Sequence, residues 1–445
     1  MSKSEKIIME DNQYFAKPGR IPYYPLAISH GYGATLVDVD GNEYIDLLSS
    51  ASSQNVGHAP EPVTNAIKAQ VDRFIHYTPA YMYHEPLVKL AKKLCAISPG
   101  DYDKRVLFGL SGSDANDGVI KLAKAYTGRP YVISFVNAYH GSTYGSLSMS
   151  AISLNMRKKY GPMLPGFYHI PYPDKYRGMY GNTEANSVES YLAPLKEMFE
   201  KYVPAEEVAC IMIETFQGDG GLLEPVDGYF EALQALCKEH GILLAVDDIQ
   251  QGLGRTGEWS SVSHFDIEPD IITFGKSLAG GLPMSAIVGR AEIMDYLDAP
   301  AHLFTTGANP VSCEAALATL SMIEDQNLLQ ASKDKGAYIR KRMDQWVNQY
   351  AAVGDVRGKG LSIGIDIVSD KLNKTRDATA ALKICNRCFD HGVVIIAVAG
   401  NVLRFQPPLV ITYEQLDQAL NVLEAAIQDL QSGKLDNYNI AGQGW

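Results

Sequence analysis

No apolar run in this chain is long enough to cross a bilayer, and its first residues, Met1 to Asn12, are polar and charged without an apolar core. Neither a membrane span nor an export signal is expected. Cysteine is scarce, six in 445 residues, and mostly scattered. A disulfide framework is therefore not expected, and free thiols fit a reducing cytoplasm. The pair Cys385-x-x-Cys388 has no partner pair and falls within a predicted helix, Ala378 to His391, while His84-Glu85 lacks a second histidine at helical spacing. Packing thiols, and no metal site, are the expectation. Basic residues are outnumbered, 39 Lys and Arg against 51 Asp and Glu, giving a formal net charge of −12. Such a chain is repelled by nucleic acid and by anionic membranes. Repeats, low-complexity tracts and Pro/Ser linkers are also missing, so the lobes that 445 residues can form must be packed together and not strung apart.

What the chain does have is chemistry at strand ends. An apolar run, Ile271 to Phe274, leads through Gly275 to Lys276, followed by small residues. An amine on a flexible stem at that position can reach an aldehyde cofactor, although a lone lysine after a strand is ordinarily a surface residue. A second strand, Ile242 to Val246, ends in Asp247, Asp248, Ile249 and Gln250. Carboxyl ends of strands line the ligand crevice of an open α/β sheet, so Asp247 and Lys276 can face one ligand. Upstream, Val106 to Asp117 reads as strand, glycine turn and helix start, with Gly112 and Ser113 at the turn. Taken alone it is an ordinary capped helix; beside a ligand it is an anion site.

Two phosphate-loop patterns fail. Gly252-x-Gly254-x-x-Gly257 is separated from its strand by polar residues and opens no helical periodicity, and the run ending Gly275-Lys276-Ser277 has Asp270 where a nucleotide loop requires glycine. Strands at Ile133, Ala209 to Ile213, Leu243 to Val246 and Ile271 to Phe274 alternate with helices such as Tyr229 to His240, the βαβ pattern of a mostly parallel sheet. Beyond it a long helix is expected from Ala315, then strands at Gly360 to Ile367 and Gly392 to Ile396, and a closing helix over Tyr413 to Gln431.

The run Asp247 to Gln250, the stretch Gly254 to Gly257 and Gly275-Lys276-Ser277 together resemble the pyridoxal-phosphate enzymes of the class III aminotransferase family. The resemblance extends from Gly33 through Asp38, Asp40, Gly41, Tyr44, Asp46 and Gly57-His58 to Arg404 and Pro408. It implies the type I pyridoxal-phosphate, aspartate aminotransferase-like α/β fold, with a mostly parallel central sheet and a smaller α+β domain. Residues 1–55 and 315–445 would form the small domain, and 56–314 the large cofactor-binding domain. It also implies pyridoxal 5'-phosphate as cofactor, Lys276 joined to its aldehyde, Asp247 against the ring nitrogen and Gln250 on the phenolic oxygen. An anion beside that nitrogen raises its pKa and keeps it protonated. Gly112 and Ser113 match the phosphate turn, Tyr139 the aromatic that stacks on the ring, and Thr305 a threonine reaching the phosphate of the neighbouring subunit. The last implies a homodimer or a homotetramer. Arg404 matches an arginine that grips a substrate carboxylate in two places.

One residue departs from the family's aminotransferases, which usually carry glutamate where this chain has Asp219; the amino-acid racemase subgroup carries aspartate there. Racemisation must return a proton to either face of the α-carbon, so a second acid/base is needed beside Lys276, and Asp219 is the candidate. The other reading keeps Asp219 as a conservative exchange in an aminotransferase. Within the subgroup the pattern, including His76 to Tyr81 and Asp298 to His302, is most similar to members that epimerise branched-chain amino acids. The expected function is racemisation or epimerisation of nonpolar substrates, with Tyr77, Tyr81 and Tyr83 as candidate pocket-lining residues, in the cytoplasm.

Overall fold

The computed structural model describes residues 1–440. It divides into two units, one formed by Met1–Pro60 together with residues from Gln330 on, the other by Glu61–Leu329. These limits differ from boundaries after residues 55 and 314, for a packing reason. Helix Pro310–Asp325 packs on helices Glu61–Arg73 and Glu85–Ile97, and so belongs to their core. The approach is close: a Cβ on Gly280 would lie 3.2 Å from Val63 Cγ1 and 3.1 Å from Thr319 Oγ1. The long helix expected from Ala315 is two helices, because Asn327 takes φ +48° before Leu328–Gln349 begins. Asparagine tolerates that left-handed stop.

The unit Glu61–Leu329 is built on a seven-stranded sheet in the order Lys104–Gly109, Ser285–Arg290, Ile271–Phe274, Leu243–Asp247, Val208–Ile213, Tyr131–Phe135 and Phe167–Ile170. Only Ser285–Arg290 runs antiparallel to its neighbours. Strands of a parallel sheet are covered on both faces, which is why Val208–Ile213 and Leu243–Asp247 are buried at every position instead of alternating. The helix Gly112–Thr127 crosses this sheet, burying Ala115, Val119 and Leu122 against Met212, Ala245 and Ile287. It starts at a capping box, Ser111 with Asp114, and stops at Gly128 in the left-handed region, φ +69°.

The other unit holds two smaller sheets. One pairs Ile28–Tyr32, Thr35–Asp38, Glu43–Asp46 and Val393–Val394; the other pairs Val353–Lys359, Ser362–Asp370, Val402–Phe405 and Ile396–Val398, with Thr375–Arg376 on Ser362–Asp370. Among the described residues no helix is long and apolar enough to cross a membrane. Nor does any group of three or more His, Cys, Asp or Glu among them have a metal-holding arrangement.

Candidate active site

Five parallel strands end on the same side of the large sheet, and each delivers a polar residue just past its carboxyl end. Gly109 leads to Gly112 and Ser113, Phe135 to Tyr139, Ile213 to Glu214 and Asp219, Asp247 to Gln250, and Phe274 to Lys276. Gly112, Ser113, Tyr139, Asp219, Asp247, Gln250 and Lys276 all line one cavity of about 210 Å³. The register explains part of this convergence: Asp247 pairs level with Thr273, three residues before Lys276.

Asp247 is only 5% exposed, and a buried carboxylate is tolerated where donors surround it. Its Oδ2 accepts from Asn116 Nδ2 and from His140 Nδ1, each at 2.8 Å, and its Oδ1 from the Ile249 amide at 3.1 Å. Asn116 is itself held by Thr273, whose hydroxyl donates to Asn116 Oδ1 at 3.1 Å. His140 and Asn116 carry no chemistry that marks them in the sequence. They are found only because a helix and a loop bring them to Asp247.

Lys276 has φ +44°, a left-handed backbone that a side chain with a Cβ rarely adopts and that costs about 1–3 kcal/mol. Such strain persists only where the surroundings over-determine it. Its Nζ lies over the ring of Tyr139, 6.0 Å from the centroid. Burial raises the Tyr139 hydroxyl above its ordinary pKa, with Asp219 and Asp247 adding to the effect.

The amides of Gly112 and Ser113 occupy the first turn of a 16-residue helix, where no intrahelical acceptor exists and the dipole is positive. Close packing keeps this corner free of side chains. A Cβ on Gly112 would lie 2.7 Å from Ile249 Cδ1, and one on Gly141, at φ +140°, 2.5 Å from Ser113 Oγ. The cavity therefore combines an anion cradle, a flat aromatic wall, a buried carboxylate and an amine, the set that a phosphorylated pyridine aldehyde requires. Gln250 completes it: a Cβ on Gly218 would sit 1.9 Å from Gln250 Oε1, so only glycine at 218 leaves room for that amide.

Two expected residues lie elsewhere. Thr305 is exposed and does not line the cavity; its carbonyl accepts from His76 Nε2 at 2.9 Å. Arg404, 2% exposed, belongs to the other unit, on Val402–Phe405 opposite Gly364 and Ile396. Tyr77, Tyr81 and Tyr83 are exposed, Tyr83 fully, and none lines the cavity. A larger space of about 390 Å³, lined mostly by apolar residues of the Asp298–Ala308 loop and the strand Lys104–Gly109, contains none of the expected catalytic or cofactor-binding groups.

Two buried acids were not anticipated. Burial, and to a smaller extent Asp247, push the Glu214 carboxyl up, while His140 and the amides of Gly218 and Tyr139 oppose the shift. Asp248 is pushed up to about 7 by burial, against hydrogen bonds from Ser261 and Ser260. Both stand at strand ends, the position that singled out Asp247. The sign of the Asp248 effect on stability follows from proton counting. An unfolded carboxyl ionises near pH 4, whereas Asp248 keeps its proton until about 7, so between those limits the folded chain binds more protons and stability falls as pH rises. Asp248→Asn preserves the shape and can still accept from the Ser261 amide, which donates to Asp248 Oδ2 at 3.0 Å. The cofactor-free protein is expected to lose melting temperature between pH 5 and pH 8, and the variant to lose less. Equal losses in both would assign the slope to other groups.

The family model for class III aminotransferases matches residues 16–427. Over 447 residues the chain is 52% identical to an isoleucine 2-epimerase of Lentilactobacillus buchneri, covering 100% of this chain and 99% of that one. It is 45% identical over 434 residues to a leucine/methionine racemase of Thermococcus litoralis, covering 97% of each. Among solved structures, a Bacillus anthracis aminotransferase matches with a TM-score of 0.88 and 28% identity, over 96% of this chain and 99% of that one. Likeness of this extent, in sequence and in fold together, makes the protein a member of the class III aminotransferase family, an enzyme whose cofactor is pyridoxal 5'-phosphate.

Proposed function

We propose that this enzyme is an amino-acid racemase or epimerase, interconverting L-isoleucine and D-allo-isoleucine and acting more broadly on nonpolar amino acids. The observation that carries the reading is Asp219, a carboxylate lining the same buried cavity as Lys276. The relatives named as an epimerase and a racemase support it.

Bound in the cavity, the cofactor supplies an aldehyde that condenses with an amine and a protonated ring that draws electrons from the α-carbon. Lys276 takes or returns the α-proton on one face, and Asp219 does so on the other. Asp247, held by Asn116, His140 and the Ile249 amide, would face the ring nitrogen of the bound cofactor. Gln250 would donate to the phenolic oxygen, Tyr139 would stack on the ring, and the Gly112 and Ser113 amides would hold the phosphate. Arg404 grips the substrate carboxylate, and Thr305 reaches the phosphate of a neighbouring subunit in a homodimer or homotetramer in the cytoplasm. An apolar side-chain pocket discriminates by only about 1–3 kcal/mol per methylene, hence the expected breadth.

The test is incubation of cofactor-loaded enzyme with L-isoleucine in heavy water, without any keto acid, followed by chiral separation with mass detection. Deuterated D-allo-isoleucine is the expected product. Deuterium in retained L-isoleucine alone, or conversion only after a keto acid is added, would make the enzyme an aminotransferase with Asp219 a conservative exchange.

A further inference from the structure

Glu214 takes no part in the proton transfer proposed above, yet it follows the strand Val208–Ile213 at 6% exposure and lines the cavity. Each of its carboxylate oxygens is engaged by a different loop. Oε1 accepts the amide N–H of Tyr139 at 3.0 Å, and Oε2 accepts the amide N–H of Gly218 at 3.0 Å. Tyr139 belongs to the loop after Tyr131–Phe135; Gly218 opens the turn that presents Asp219. That turn is tight, the Gly218 carbonyl accepting the amides of Gly221 and Leu222 at 3.1 Å each. A second tie joins the same two loops, Gln217 Nε2 donating to the Val136 carbonyl at 2.9 Å. Gly218 also meets Gln250, whose amide rests where a Cβ would otherwise be.

We propose that Glu214 is a positioning residue for the second proton carrier: by accepting one amide from each loop, it sets the Asp219 carboxylate relative to the Tyr139 ring and the Gln250 amide. This rests on the reading of Asp219 as the acid/base that serves the face opposite Lys276. The role requires a carboxylate. Glutamine offers one acceptor, and its NH₂ would confront the other amide donor, releasing one loop from the other. Proton transfer depends steeply on geometry, and a misplacement of about 1 Å lowers rates by about 100-fold. Lys276, delivered by a different strand, is unaffected by that release.

The experiment compares holoenzymes carrying E214Q, E214D and D219N. For each, epimerisation of L-isoleucine in heavy water is measured beside deuterium exchange with retention, together with KM, cofactor stoichiometry and the visible circular dichroism of the bound cofactor. In E214Q the ratio of epimerisation to exchange is expected to fall by about 10–100-fold, with KM and stoichiometry preserved and the dichroic band altered as the Tyr139 ring tilts. E214D keeps two acceptors on a shorter stem and is expected to recover part of the ratio. If D219N leaves epimerisation intact, the reading of Asp219 fails and the role of Glu214 falls with it. If D219N abolishes epimerisation while E214Q leaves the ratio unchanged, Glu214 alone is overturned. Should E214Q fail to fold, an unchanged ratio in E214D overturns the proposal equally, and a lowered ratio supports it.

Discussion

Asp219→Asn is expected to lower epimerisation by about 10²–10⁴-fold, the range for a lost general acid or base, while deuterium exchange with retention falls less than about 10-fold. Asparagine matches aspartate in shape, so the 9%-exposed side chain should stay in its turn and the cavity keep its form. What changes is that a carboxamide neither takes nor returns a proton near neutral pH. In barrier terms the expected loss is about 3–5 kcal/mol on one face of the α-carbon only. Parallel loss of epimerisation and exchange would mean that Asp219 supports both faces, for instance by shaping the site. Retained epimerisation would mean that another group, or water, carries the second proton.

Lys276→Ala is expected to remove both activities, each by more than about 10⁴-fold, because the same amine joins the cofactor and carries the first proton. The variant should still bind cofactor through Asp247, Gln250 and the start of the Gly112–Thr127 helix, none of which it disturbs. Borohydride treatment followed by peptide mass analysis separates the two functions: the native enzyme should yield a modified Lys276 peptide, the variant none. Residual exchange at a tenth of the native rate would show that a different base takes the α-proton. The left-handed φ of Lys276 adds a structural reason why this position tolerates little change, since the residue itself must hold a backbone conformation that favours glycine.

Much of the fold could be read along the chain. The strand Ile271–Phe274 and the helices Tyr229–His240 and Tyr413–Gln431 have the limits that apolar runs and periodicity predict. Other limits moved by a residue or two, as with Leu243–Asp247, where a carboxylate continues the strand because three donors compensate its burial. The helix break at Asn327 escaped because asparagine is compatible with helix and with left-handed stop alike, and the neighbours decide.

For the site, residue types at strand ends were enough to single out Lys276 and Asp247, since chemistry of that kind at the carboxyl end of a parallel strand follows from local order alone, whereas Gln250 and Asp219 came from the resemblance to the class III aminotransferase family. Which atoms meet did not follow. Nothing local says that Glu214 divides its oxygens between Tyr139 and Gly218, that Gly218 is bare to admit Gln250, or that His140 and Asn116 converge on Asp247. Those partners lie between four and 131 residues apart along the chain. The sequence by itself determined the mostly parallel α/β architecture and pointed to Lys276 and Asp247, because periodicity and strand-end chemistry are properties of short segments. Only the tertiary structure decided how those groups are held, because hydrogen bonds between loops depend on sheet order and register, which no single segment contains.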